Sequence, residues 1–159
     1  MPALPFDLQA PATPDEAVYR LTADATRDLV DLSTAINVTW TFRSARPDGD
    51  RTAPVPLLGV RFAPDVDGHN GAPSGTRFTV PLHIGRQAGS GDLEEVTVEA
   101  SFDDGGTWQP LRVTGRGDDR KVTIDHPTGP GFVSLRATAA DADGNRVEQT
   151  IIHAYRLTG

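Results

Sequence analysis

The sequence predicts an all-β protein, an antiparallel β-sandwich. Three observations carry that expectation: apolar residues recur at every second position, turn clusters separate the runs, and no window offers a helical stripe. Ile36, Val38, Trp40 and Phe42 alternate with Asn37, Thr39, Thr41 and Arg43. Phe78, Val80, Leu82 and Ile84 alternate with Arg77, Thr79, Pro81 and His83, as Val96, Val98, Ala100 and Phe102 do with Glu95, Thr97, Glu99 and Ser101. A period of two puts one row of side chains in a core and the other in water.

Taken in chain order, the Pro/Ala-rich residues 1–16 read as disordered or as a linker. Residues 17–26 and 33–44 form an expected hairpin. Two strands alone bury too little apolar surface to offset their ordering entropy, so the hairpin and its linker, 17–54, must pack on the sandwich or on another neighbour. Over 55–159 the alternation predicts seven strands, at 56–63, 76–86, 94–103, 108–114, 119–126, 132–140 and 146–157. Turn clusters such as Asp67-Gly68-His69-Asn70-Gly71, Gly89-Ser90-Gly91-Asp92, Gly115-Arg116-Gly117-Asp118 and Asp143-Gly144-Asn145 separate them. Seven strands is the count of a fibronectin-III (Fn3) or immunoglobulin (Ig) constant-type sandwich.

Length and charge narrow the function classes. A chain of 159 residues has the length of one compact domain, or of one domain and a small appendage. The net charge of -7, with 17 of the 22 acidic residues being Asp, gives a surface that repels phosphate backbones, so no nucleic-acid partner is expected. The absence of cysteine removes disulfide frameworks and thiolate zinc sites. No stretch reaches the roughly 18 apolar residues of a membrane span, and the N-terminus lacks an apolar signal core. If the module is exported, its signal peptide belongs to a parent chain.

The most specific local pattern is Ser101-Phe102-Asp103-Asp104-Gly105-Gly106-Thr107-Trp108, which is similar to the Asp-box of hairpin turns in sialidase propellers and other secreted β proteins. Asp103 can accept backbone N–H bonds across the turn and Gly105 can take a positive φ. Ser101 and Thr107 face each other, and Trp108 covers the hairpin root. Each residue has a folding role, and one copy is too few for a propeller. The run Asp141-Ala142-Asp143-Gly144-Asn145 has the spelling of a final hairpin, with Gly-Asn supplying the left-handed turn. It also begins like a calcium loop, but an EF-hand loop needs Glu at its twelfth position, where Ile152 stands. Solvated turn aspartates are the first reading. Asp141, Asp143 and Asp92 are the candidates for Ca2+ in another geometry, and no other cofactor is expected.

Catalytic signatures are missing. There is no G-x-S-x-G elbow and no Gly-rich phosphate loop entering a helix, and the four histidines lack metal-helix spacing. His83 and His126 both read as surface residues. Arg116-Gly117-Asp118 spells an integrin-type tripeptide, a match that arises often by chance.

The runs Tyr19–Ala25, Thr39–Ser44, Val60–Pro64, Val98–Gly105, Gly131–Thr138 and Gln149–Ile152 together resemble the C-terminal accessory region of secreted actinobacterial (Streptomyces-type) subtilisin-like S8 family serine peptidases. The resemblance spans about residues 17–157. It implies an extracellular, multidomain parent whose catalytic triad lies upstream, and a non-catalytic sandwich that contacts neighbouring domains of the peptidase or its protein substrate. The family's Gly-Thr-Ser-Met nucleophile motif has no counterpart here, so no catalytic residue is carried over. Exposed apolar residues are then expected at 17–44. Two alternatives stand beside this reading. One is a carbohydrate- or surface-binding module, for which Tyr19 and Tyr155 are the free aromatics. The other is a free-standing interaction or inhibitor subunit, for which 64–75 is the longest candidate loop.

Overall fold

The computed structural model describes residues 10–159; residues 1–9 of the expected linker lie outside the described residues. Eleven strands form among the described residues: β1 (Ala17–Thr26), β2 (Ala35–Ser44), β3 (Leu58–Phe62), β4 (Gly71–Pro73), β5 (Arg77–Arg86), β6 (Leu93–Ser101), β7 (Gln109–Leu111), β8 (Val113–Arg116), β9 (Asp119–Asp125), β10 (Gly131–Asp141) and β11 (Arg146–Thr158). They make two sheets. One runs β1-β2-β11-β10-β6-β7, with β4 added parallel to the end of β11, and the other runs β3-β5-β9-β8.

The alternation read from the sequence decides which rows meet. In the smaller sheet, Val60 stands opposite Ile84, Phe62 opposite Leu82, and Val80 opposite Val122. In the larger sheet, Leu135 stands opposite Ala100, Ala137 opposite Val98, and Ala139 opposite both Val96 and Val147. All but the half-buried Phe62 and Val96 are buried, and all of them join one core. Alanine on one inner face and branched aliphatics on the other let the two sheets interdigitate.

Two departures from the expected strands have physical causes. The expected strand 108–114 is two strands: β7 pairs with β6, the chain turns at Arg112, and β8 pairs with β9 in the other sheet. The alternation survives this crossing, so the sequence pattern hides it. The expected loop 64–75 is likewise not free. Its residues Gly71–Pro73 form β4, in register with Arg156–Thr158 of β11. Gly71 is buried there, and a Cβ at that position would press on Thr158 Cγ2 at 2.7 Å and on the Asp67 carboxylate at 3.0 Å.

The N-terminal hairpin joins the sandwich by its edge. Ala35–Thr41 of β2 pair antiparallel with Arg146–Ile152 of β11, and β1 lies outermost. Trp40 bolts the joint: its indole N–H donates to the Leu58 carbonyl at 2.8 Å, while its ring packs against the core.

Candidate functional site

Three polar clusters stand out, and each is built from a turn or bulge. The first is the Ser101–Trp108 turn. Gly106 N–H donates to the Asp103 carbonyl at 3.0 Å, and Asp104 and Gly105 take φ of 58° and 86°, the two left-handed positions of a type I′ turn. The Asp103 carboxylate accepts from Ser101 Oγ (2.7 Å), Thr107 N (2.8 Å) and Thr107 Oγ1 (2.7 Å). Ser101 and Thr107 therefore bracket the carboxylate instead of facing each other. The Thr107 backbone bond, then the Ser101 and Thr107 hydroxyls, hold the Asp103 carboxyl down at about 2. A Cβ on Gly105 would reach 3.2 Å from Ile152 Cδ1 and 3.4 Å from the Trp108 ring. Trp108 in turn carries the Arg136 guanidinium over its ring at 4.5 Å.

The second cluster centres on Asp141, which is 3% exposed. Oδ1 accepts from Asp143 N (3.0 Å) and Asn145 N (2.8 Å), and Oδ2 from Gly91 N (2.9 Å) and Asn145 Nδ2 (2.8 Å). Asn145 Oδ1 accepts from Arg43 N at 3.2 Å, so one buried carboxylate ties the β10–β11 turn to the 89–92 loop and, through Asn145, to β2. Burial alone would raise the Asp141 carboxyl, but the bonds from Asn145, Gly91 and Asp143 outweigh it and leave it lowered. Of the other calcium candidates, Asp143 sits against Gly91, and Asp92 faces solvent 3.8 Å from Arg86. Four donors already fill the Asp141 oxygens. Among the described residues, no group of three or more His, Cys, Asp or Glu is placed to hold a metal.

The third cluster surrounds His153, a residue without any signal in the sequence. Val133 stands opposite Tyr155 but Leu135 opposite Ile151, so three residues of β11 bulge against Ser134. His153, at the centre of the bulge, has φ of 57°. Its N–H donates to Ser134 Oγ (3.0 Å) and its carbonyl accepts from Ser33 N (2.8 Å). The ring stacks on Phe132 at 4.0 Å, with Nδ1 at 2.8 Å from the Asp31 carbonyl and Nε2 at 2.6 Å from Asp104 Oδ1. Arg156 adds an ion pair to Asp31 at 2.8 Å. The bulge thus joins the β1–β2 loop to the Asp103 turn.

Other sequence candidates move inward. His126, expected at the surface, is 5% exposed. It pairs with the Pro73 carbonyl through Nδ1 (2.7 Å) and with the Tyr155 hydroxyl through Nε2 (2.8 Å). Tyr155, expected as a free aromatic, is fully buried, with Phe78 and His126 packed against its ring, and burial pushes its phenol well above the ordinary value. Asp118 of the Arg-Gly-Asp tripeptide is engaged by Arg86 at 2.9 Å. His83 lies at the surface and pairs with Asp119 at 2.8 Å.

A groove of about 480 Å³ opens between the hairpin and the 45–55 segment, lined by Tyr19, Leu21, Phe42, Arg46, Arg51 and Val55 among others. Both ring nitrogens of His126 and of His153, and Nδ1 of His83, are bonded to groups other than a serine hydroxyl. No helix among the described residues is long and apolar enough to cross a membrane. No protein-family model and no curated protein matches this chain.

Proposed function

We propose that the chain is a non-catalytic accessory β-sandwich of the Fn3/Ig type that works by protein contact. The strand order supports the type: β3-β5-β9-β8 facing β6-β10-β11 has the connectivity of an ABED sheet over a CFG sheet. The observation that carries the contact role is where apolar surface is exposed. The large hydrophobic side chains exposed among the described residues are Val18 (60%), Leu29 (99%) and Val30 (52%), all on the hairpin. Asp31, next to Val30, is tied to the sandwich by His153 and Arg156, so the loop that carries Leu29 and Val30 is anchored at its base and presents its apolar side chains outward.

The sequence resemblance supplies the parent: a secreted subtilisin-like peptidase, with this module touching its catalytic region or its protein substrate. The purified chain is expected to release no peptide from casein above background. Turnover that persists in a serine-peptidase inhibitor control overturns the non-catalytic reading. The reading frame around the coding segment is expected to encode a Gly-Thr-Ser-Met nucleophile motif upstream; a frame without one overturns the parent. The glycan-binding alternative is weakened by the burial of Tyr155, which leaves Tyr19 stacked on the buried Phe42 at 5.8 Å.

A further inference from the structure

Among the described residues five strands pair on one side only, and four of them are blunted. β4 is three residues long and ends in Pro73. β7 is three residues long and contains Pro110. β3 is five residues long, with Pro56 before it and Pro64 after it, and β8 is four residues long and contains Gly115 at φ 108°. β1 differs. It runs for ten residues with no Pro, Gly or Lys and no left-handed residue, so its backbone offers a regular edge, and its two charges, Arg20 and Asp24, are of opposite sign.

The ladder fixes which of its backbone groups are unpaired among the described residues. Ala17 stands opposite Ser44 and Thr26 opposite Ala35, and the next pair is closed by Arg27 N donating to Thr34 O at 2.9 Å. Hydrogen-bonded residues alternate along an antiparallel strand. The odd residues of β1 therefore face β2, and Val18, Arg20, Thr22, Asp24 and Thr26 aim N–H and C=O outward. The side chains of these same five residues are exposed.

We propose that β1 is a self-association edge: two copies of the chain pair antiparallel through β1 about a two-fold axis at Thr22, making one continuous sheet. The charges select that register. With Thr22 opposite Thr22, Arg20 of each copy lies opposite Asp24 of the other, twice by symmetry, and Val18 lies opposite Thr26. An axis at Arg20 or at Asp24 places like charges opposite each other, and the registers between leave both charges opposite Thr or Val. Asn37 Nδ2 donates to Asp24 Oδ1, which steadies the carboxylate and leaves Oδ2 for the guanidinium.

Sedimentation velocity of the whole chain from micromolar to millimolar concentration tests this, and a concentration-dependent dimer is the expected result. Thr22→Pro removes an outward N–H and keeps every β1–β2 backbone bond, losing the Thr22–Thr39 hydroxyl bond of 3.3 Å, and it is expected to weaken the dimer at least about tenfold while the circular dichroism spectrum is unchanged. Arg20→Asp is expected to weaken it similarly, and the double exchange Arg20→Asp/Asp24→Arg to restore it. That exchange keeps the test decisive if the proline variant unfolds the hairpin. A chain that stays monomeric throughout overturns the proposal, as does a double exchange that fails to restore the dimer. A dimer lost on Leu29→Asp but indifferent to Arg20→Asp also overturns it, because association would then run through the loop tip.

Discussion

The turns at Asp103 and Asp141 follow the same local rule and differ in everything around it. In each, one carboxylate oxygen accepts the backbone N–H four residues on, at 2.8 Å in both cases. The Asp103 turn closes on itself: its donors are Ser101 and Thr107, and its carboxylate stands in water. The Asp141 turn is buried and takes donors from Gly91 and, through Asn145, from β2. A short motif therefore determines a turn's shape, while distant segments determine whether the fold depends on it.

Asp141→Ala is the sharpest way to test that difference. It leaves four donors without an acceptor where water cannot easily replace it, and a loss of about 3–5 kcal/mol in urea unfolding is expected. A loss no larger than that of Asp103→Ala would break the comparison. Tyr155→Phe extends the same rule to a buried pair outside any turn. It strips the donor from His126 Nε2 and is expected to cost about 1–3 kcal/mol. Asp103→Ala is expected to lower the urea midpoint less than either, with the slope unchanged.

Acid separates the groups further. Burial chiefly lowers the His126 pKa below 6.5, with the Pro73 bond pulling partly back, so the folded state prefers the neutral ring. The unfolded chain binds the extra proton first. Stability is thus complete above pH 6.5 and lost as pH falls through the folded-state value, by at most about 1.4 kcal/mol per pH unit. Asp103 works in the same direction but lower: its contribution is present above 3.8 and fades toward about 2, where carbon-detected titration of its carboxyl should find the midpoint. The smallest effects fall on the glycines, with the ranking reversed. Gly105→Ala and Gly144→Ala each incur about 1 kcal/mol for a left-handed alanine. Gly105→Ala should lose more, because its new methyl meets Ile152 at 3.2 Å while the nearest atom to Gly144 is 3.6 Å away.

The sandwich was legible because alternation is a property of each strand by itself. Val80, Leu82 and Ile84 point inward whatever strand lies beside them. What could not be read depended on partners far along the chain. β4 is Gly-Ala-Pro, a loop by composition, and becomes a strand only because β11 offers it a parallel edge. The crossing at Arg112 leaves no mark, since β7 and β8 share one alternating run. His126 precedes a proline and Tyr155 carries a polar tip, so each alone looks like surface. Packing with Phe78 buries them together, and each satisfies the polar atom of the other. His153 was invisible for a related reason: a bulge is a mismatch between two strands, and one strand's sequence cannot show it.

The place of β2 beside β11 sets an order of events during synthesis. β2 emerges early, yet the edge it must join belongs to the strand about a hundred residues later. At roughly 5–20 residues per second, the hairpin waits on the order of 5–20 s with both flanks unpaired. During that interval its alternating residues Ile36, Val38 and Trp40 have no sheet to cover them, and neighbouring chains on the same message carry identical, equally idle hairpins. The slow, long-range closure of β2 on β11 is thus the step at which nascent chains are most exposed to one another.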